Sequence, residues 1–214
     1  MRQVMARPID TEKRNDLASR AVAVLEQEGF ELSMATLASR LEVKRPTLLY
    51  HFPTKAAIVE HALGETLFEQ AQYVLSEMGK HPHPLDQLHA QIRAVHTFHH
   101  GREHRIVLLT QAVGSIGAER MKGVIEVGNQ AFAAHRRVMR MKLEAAIAAG
   151  TMHPCDIDSL LALVRSCNDG LLLQRLMTGC ELAPVHQFIW DHILAPLKIE
   201  RAETNEAAGE GEAS

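Results

Sequence analysis

The sequence predicts an all-α protein of about nine helices, and two observations support this fold class. Apolar residues recur every three or four positions along most of the chain, which is the spacing of one face of a helix. Beyond residue 84 no run alternates between polar and apolar residues, and no hairpin dipeptide separates strand-like runs. Breaker residues and a composition shift then divide the chain into a three-helix head over residues 1–54, a helical body over 55–199 and an acidic tail over 200–214.

The composition is that of a globular protein. Of the 214 residues, 46% are hydrophobic, yet no apolar run is long enough to span a bilayer. The first residues lack the apolar stretch of a signal peptide, so we expect a cytoplasmic protein. The three cysteines, Cys155, Cys167 and Cys180, are an odd number without metal-type spacing, and we expect reduced thiols.

The net charge of −3 is unevenly distributed along the chain. Residues 200–214 carry a net charge of −4, and their small, acidic composition predicts disorder. Residues 1–55 hold nine Lys or Arg against seven Asp or Glu, a net charge of +2. A locally basic head can attract phosphate although the whole chain is acidic.

Three helices are expected in the head. Residues 1–10 are expected to be a frayed arm, or alternatively an arm that lies along a nucleic-acid backbone. Thr11 to Glu28 has helical apolar spacing, and Gly29 supplies the stop. Ser33 can then cap a second helix, and Pro46 suits the first turn of a third.

The third helix of the head presents polar chemistry to solvent. Leu48 and Phe52 share its inner face, so the other side chains must point elsewhere. Those side chains are a cation, a hydroxyl, a phenol and an imidazole, together with Leu49. Such groups are typical of contacts to phosphates and base edges.

The segment over residues 33–52 resembles the helix-turn-helix of the TetR/AcrR family of transcriptional regulators. The resemblance is carried by Gly29, Ser33, Leu37-Ala38, Val43, Pro46-Thr47-Leu48, Tyr50-His51-Phe52 and Lys55. Two positions depart from the family pattern: Glu42 stands where glycine is usual, and Lys44 where a small hydroxyl residue is preferred. If the backbone at Glu42 is left-handed, the side chain costs on the order of 1 kcal/mol.

The resemblance implies a DNA-binding head and a homodimer that acts on a palindromic operator. Arg45 falls on a position that faces bases, and its guanidinium can grip guanine O6 and N7. Most of the other positions face phosphates, and Leu49 can contact a thymine methyl group. The expected DNA-binding residues are Ser33, Thr36, Lys44, Arg45, Pro46, Thr47, Leu49, Tyr50, His51 and Lys55.

Six further helices are expected in the body. The fourth helix runs from Lys55 to about Met78 and, by resemblance, connects the head to the rest. The breaker cluster at residues 79–84 follows it. The remaining helices are expected at about Leu85–His100, Glu103–Val113, Ala118–Ala149, Ile157–Thr178 and Val185–Leu197.

The resemblance also implies an effector site and a dimer interface in the body, with repression released by a small molecule. The effector site would be lined by Phe68, Tyr73, His96, Phe98, His100, Leu108, Gln111, Phe132 and His135. Because the helix at 157–178 is apolar nearly all round, it needs neighbours on several sides. Dimer contacts are expected from Leu160, Leu163, Val164, Cys167, Gly170, Leu171, Gln174, Phe188, Trp190 and Ile193.

Histidines suggest one alternative function. His96, His100 and His104 form a single stripe if Gly101 does not break the helix, and imidazoles at that spacing can share zinc or nickel. The same residues can equally line a polar or pH-responsive cavity, or lie on a solvated face. A helical metalloenzyme is the more distant alternative. The sequence has no GxSxG, HExxH, CxxC or glycine-rich phosphate loop, so we expect neither catalysis nor a cofactor.

Overall fold

The computed structural model describes residues 11–115 and 118–199, and within these ranges the chain is helical and has no β-strand. The helices are α1 (Thr11–Glu28), α2 (Met34–Arg40), α3 (Arg45–His51), α4 (Lys55–Met78), α5 (Pro84–Phe98), α6 (Glu103–Ser115), α7 (Ala118–Ala148), α8 (Ile157–Thr178) and α9 (Ala183–Ile189). A π-helical turn, Trp190–Leu194, and a 3₁₀ turn, Ala195–Leu197, follow α9. The all-α prediction is confirmed. The expected N-terminal arm and acidic tail lie outside the described residues.

The head packs around apolar residues of α1, α2, α3 and the first half of α4. Leu37 and Leu48, which come from opposite sides of the α2–α3 turn, are fully buried there beside Phe52. Two residues of α6, Leu109 and Ala112, belong to the same cluster. The core of the head is therefore completed by a helix from the body.

A second core holds the body together. It joins the end of α4 to α5, α7, α8 and α9, and its most buried members include Leu85, Leu143 and Leu194. The C-terminal segment is tied back by backbone hydrogen bonds, from His153 N–H to the Leu197 carbonyl at 2.8 Å and from Ile199 N–H to the Thr151 carbonyl at 3.0 Å. Helix α4 contributes to both cores and so spans the whole molecule.

Two expected helices differ from the structure. The helix expected over 85–100 ends at Phe98, because Gly101 takes a left-handed conformation with φ 77° and turns the chain. The helix expected over 185–197 begins earlier, at Ala183, with Pro184 in its first turn, and gives way to the π and 3₁₀ turns before Leu197. No helix in the described part of the chain is long and apolar enough to cross a membrane.

Candidate nucleic-acid interface

The turn between α2 and α3 is fixed by hydrogen bonds that close the end of α2. Val43 N–H donates to the Ala38 carbonyl at 3.0 Å, and Glu42 N–H donates to the Ser39 carbonyl at 3.1 Å. This pair of bonds requires a left-handed residue between them, and Glu42 has φ 56°. The chain therefore places a glutamate at a backbone position that favours glycine.

Side-chain caps position the helices on either side of this turn. The Ser33 hydroxyl accepts from Thr36 N–H at 3.0 Å at the start of α2, as predicted. Thr54 plays the same part for α4, accepting from Ala57 N–H at 3.1 Å. Lys44 precedes α3 without a side-chain cap, because an ammonium group has no acceptor to offer the first N–H groups of the helix.

The outer face of α3 is cationic and aromatic. Leu48 and Phe52 anchor the helix in the head core, whereas Arg45 and Pro46 are exposed and the Tyr50 ring is 54% exposed. Neither Lys44 nor Arg45 forms an ion pair with another described residue. Two cations at the start of a helix, unpaired within the described chain, can therefore meet phosphates and base edges.

Two of the predicted DNA-binding residues are engaged inside the head. The His51 side chain is only 6% exposed and packs edge-on against Tyr50, so the expectation that its imidazole faces solvent is wrong. The reason is its position at the end of α3, where the chain turns into the core beside Phe52. The Lys55 ammonium group donates to the Phe30 carbonyl and is half-buried. Its charge therefore helps to fasten α4 to the loop after α1.

The remaining predicted residues are accessible to solvent or partly so. Ser33, Thr36, Lys44, Arg45, Pro46 and Tyr50 are exposed, and Thr47 and Leu49 are half-buried beside them. Sequence reasoning missed Ser39, which is exposed one turn after Thr36 on α2, and the cap at Thr54. The signal for Ser39 was its spacing of three residues from Thr36. The signal for Thr54 was a threonine directly before the expected start of the fourth helix at Lys55.

The predicted effector residues are not brought together. Phe68 is 61% exposed, and His100 and Gln111 also face solvent. Tyr73 and Phe98 contact each other, with ring centroids 5.9 Å apart. His96 is buried against α8, whereas Leu108, Phe132 and His135 are half-buried elsewhere.

The histidine stripe is broken by the turn at Gly101. His96 lies in the interior, where its Nε2–H donates to the Asn168 carbonyl at 3.0 Å. Its Nδ1 must then accept from His186 Nε2–H, 2.8 Å away. His100 and His104 are exposed on the other side of the turn. Among the described residues, no three His, Cys, Asp or Glu side chains are grouped to hold a metal ion, and the metal alternative has no support.

The predicted dimer residues divide between core and surface. Leu160 and Val164 are buried within the chain, which corrects their assignment to an interface, because they face α5 and the body core. Cys167, Leu171, Trp190 and Ile193 are half-buried, whereas Leu163, Gly170, Gln174 and Phe188 are exposed. Leu173, Leu176 and Met177, which are outside the predicted dimer set, are also exposed on α8.

The fold and this surface define a helix-turn-helix protein whose third helix presents cations to solvent. Residues 17–62 match the family model of the bacterial regulatory proteins of the tetR family. A comparison with curated protein sequences gives no match. The head of the chain is therefore similar to the helix-turn-helix domain of TetR-family regulators.

Solved structures share the fold over most of the chain. The ketosteroid transcriptional regulator KstR2 of Mycobacterium tuberculosis is 19% identical, with a TM-score of 0.61 over 92% of this chain and 100% of its own. The TetR family regulator PfmR from Thermus thermophilus is 19% identical, with a TM-score of 0.62 over 86% and 99%. The multidrug binding protein EbrR, solved with imidazole, is 21% identical, with a TM-score of 0.56 over 91% and 99%.

Proposed function

We propose that this chain is a DNA-binding transcriptional regulator, a homodimeric repressor that binds a palindromic operator through α3 and leaves it when a small molecule binds the body. The observation that carries the proposal is the exposed start of α3, where Lys44 and Arg45 have no ion-pair partner in the described chain. The opposite face of α3 is anchored by fully buried apolar residues. A helix held in this way can be pressed into a major groove without losing its position.

Dimerisation is supported by the outer face of α8. Leu163, Leu173 and Met177 are exposed there, and Met177 is 74% exposed. A side-chain carbon added at Gly170 would meet no atom within 4 Å, so this face leaves room for another backbone. An apolar strip of this kind on a second copy would pair with it about a two-fold axis. The two heads of such a dimer would be about 34 Å apart, which is the length of one turn of DNA, or a multiple of that distance.

Release by an effector is supported by the course of α4. Its first half supplies Ile58 and Leu63 to the head core, and its second half supplies Val74 and Met78 to the body core. A change of tilt forced on α4 from the body must therefore move the head, which couples the two sites. The structure of EbrR with imidazole shows that a protein of this fold can accommodate a small molecule. The proposal assigns no catalytic step to the chain.

The function is tested by selecting bound sequences from a random pool of duplex DNA. Recovery of a palindrome is expected. Arg45→Ala should then relax preference at one base step by about 1–3 kcal/mol, because a bidentate contact to guanine is lost. Lys44→Ala should instead weaken all sequences alike and reduce the salt dependence of binding.

The matched control is Arg137→Ala, which removes an exposed guanidinium from α7 in the body. It should leave affinity and preference unchanged. Equal weakening of every sequence by Arg45→Ala would make that residue a phosphate contact. A protein that recovers no sequence from the pool would defeat the proposed function.

A further inference from the structure

A polar cleft lies where the head meets the body. It has a volume of about 230 Å³ and is bordered by α1, the middle of α4 and the corner between α5 and α6. This volume is that of roughly eight water molecules, so the cleft suits a small metabolite rather than a large drug. Of the predicted effector residues only Phe98 borders it.

Charges of opposite sign face the cleft from different helices. Glu65 and Glu69 stand one turn apart on α4, whereas Arg102 and Arg105 come from the start of α6 and the turn before it. No ion pair links these carboxylates to these guanidinium groups in the described chain. Arg102 Nε and Nη2 both donate to the Phe98 carbonyl, at 3.1 and 3.0 Å, which leaves the Nη1 of Arg102 for a third group that pairs with both sides.

The hydrogen bonds around the cleft leave donors and acceptors unused. The Arg105 Nη2 donates to the Ser19 hydroxyl at 3.3 Å, which joins body to head, but its Nε is shielded from solvent without a partner. One oxygen of Glu65 accepts from the Asn15 amide at 2.7 Å. A ligand in the cleft cannot reach the shielded Nε of Arg105, so a bound carboxylate would pair with the Nη1 atoms of Arg102 and Arg105.

The His99 side chain, which also borders the cleft, adds no charge at neutral pH. Burial, followed by the nearby Arg102 guanidinium, lowers the pKa of His99 to about 4. Its Nε2–H donates to the Gln70 side-chain oxygen at 2.7 Å, so this donor is already used within the protein. The two carboxylates and two guanidinium groups thus balance, and a singly charged guest would meet repulsion from one side.

We propose that the cleft binds a small zwitterion of the amino-acid type, with its ammonium group toward Glu65 and Glu69 and its carboxylate toward Arg102 and Arg105. Two guanidinium groups suit a carboxylate because each can donate a charge-assisted hydrogen bond to one of its oxygens. Since Asn15 and Ser19 belong to the head, such a ligand would bridge head and body. The binding claim stands on the cleft alone, and only its effect on operator affinity rests on the proposed function.

The test is isothermal titration calorimetry of the full chain with each of the standard amino acids. For any that binds, the matching amine without the carboxylate and the matching acid without the ammonium group are titrated as well. We expect binding of at least one amino acid and a loss of tenfold or more for both singly charged analogues. Glu69→Gln and Arg105→Gln should each weaken binding by tenfold or more.

Matched controls are Glu181→Gln and Arg137→Gln, which remove exposed charges far along the chain and should not alter the affinity. Thermal unfolding of each variant checks its fold. Should Arg105→Gln unfold, Glu69→Gln carries the test alone, because Glu69 is exposed and outside both cores. No binding by any amino acid, equal binding of the singly charged analogues, or unchanged affinity in Glu69→Gln each overturns the proposal.

Operator binding is measured separately on the DNA recovered from the random pool. A protein that binds the operator but no zwitterion defeats the inference about the cleft and leaves the proposed function standing. A protein that binds a zwitterion but no DNA defeats the function and leaves the cleft assignment standing.

Discussion

Glu42 shows how one residue can carry local strain inside a recognition motif. Its φ of 56° is the left-handed conformation that closes α2, and the side chain gains no ion pair among the described residues that would offset the strain. A left-handed L-residue costs about 1–2 kcal/mol, and glycine loses about 0.5–1 kcal/mol more backbone entropy than alanine on folding.

Glu42→Gly should therefore raise the free energy of unfolding by about 0.5–1 kcal/mol, the difference between relieved strain and added entropy. Urea unfolding followed by circular dichroism measures the change. Ser39→Gly, in the right-handed turn just before, is the control and should destabilise the chain instead. A loss of stability in Glu42→Gly would show that the glutamate makes a compensating contact.

Two imidazoles make stability depend on mild acid. Burial lowers the pKa of both His99 and His186 to about 4, from an ordinary value of 6.5. Both are neutral in the folded and unfolded chain above pH 6.5. Between pH 6.5 and about 4 the unfolded chain binds protons that the folded chain does not, so the free energy of unfolding must fall as the pH falls.

Urea midpoints recorded across this pH window should decrease steadily toward acid. His186→Gln should flatten the decrease, because one of the two groups no longer titrates. Gln174→Ala removes an exposed side chain that does not titrate and should leave the slope as it is. An unaltered slope in His186→Gln would mean that other groups dominate acid sensitivity.

At the scale of elements, the caps decide where helices begin. Helix α2 has only seven residues, too few to be stable alone, and its first turn relies on the Ser33 hydroxyl. Ser33→Ala should lower the free energy of unfolding by about 1 kcal/mol. Ser39→Ala, exposed within the same helix, should be nearly neutral, and urea unfolding of the pair isolates the cap. If the two changes lower the free energy of unfolding equally, Ser33 is not a stabilising cap of α2.

The elements that the sequence predicts well are those with strong local signals. The bounds of α1 and α8 follow from Gly29 and Asp156, which stop and cap a helix by themselves. The C-terminal helix was less predictable, because its π turn depends on packing against the body core. The histidine stripe failed for a different reason: a spacing of four residues has meaning only within an unbroken helix, and Gly101 breaks it.

The residues of the candidate sites also divide into those that local sequence signals predict and those that depend on the tertiary structure. The outer face of α3 could be predicted, because Leu48 and Phe52 fix which side is buried. The depth of His51 could not, since it depends on how the chain leaves α3 for α4. The cleft between Ser19 and Arg105 joins residues far apart in sequence, and no local sequence pattern predicts their contact.

At the scale of the whole molecule, the outer face of α8 predicts the oligomeric state. Leu173→Glu should weaken dimerisation by roughly 100-fold or more, because burying a leucine contributes about 1.5–3 kcal/mol and a two-fold axis repeats the change. Analytical ultracentrifugation over a range of concentrations measures the shift. Met141→Glu is the control, since it places the same charge at an exposed apolar residue of α7.

A dimer unaffected by Leu173→Glu would move the interface elsewhere. A dimer disrupted equally by Met141→Glu would show general destabilisation rather than a broken interface. Operator binding should weaken together with dimerisation in Leu173→Glu, because one head alone makes too few contacts.

Leu109 and Ala112, although they belong to α6, complete the interior of the head. Residues 1–54 expressed by themselves would therefore lack part of their own interior and should show the exchange-broadened spectra of a loosely packed fragment. In the intact protein, a shift of α6 would disturb the same apolar cluster that holds Leu48 of α3. If the proposed release by an effector holds, the shared interior gives it a route from body to head that needs no hinge.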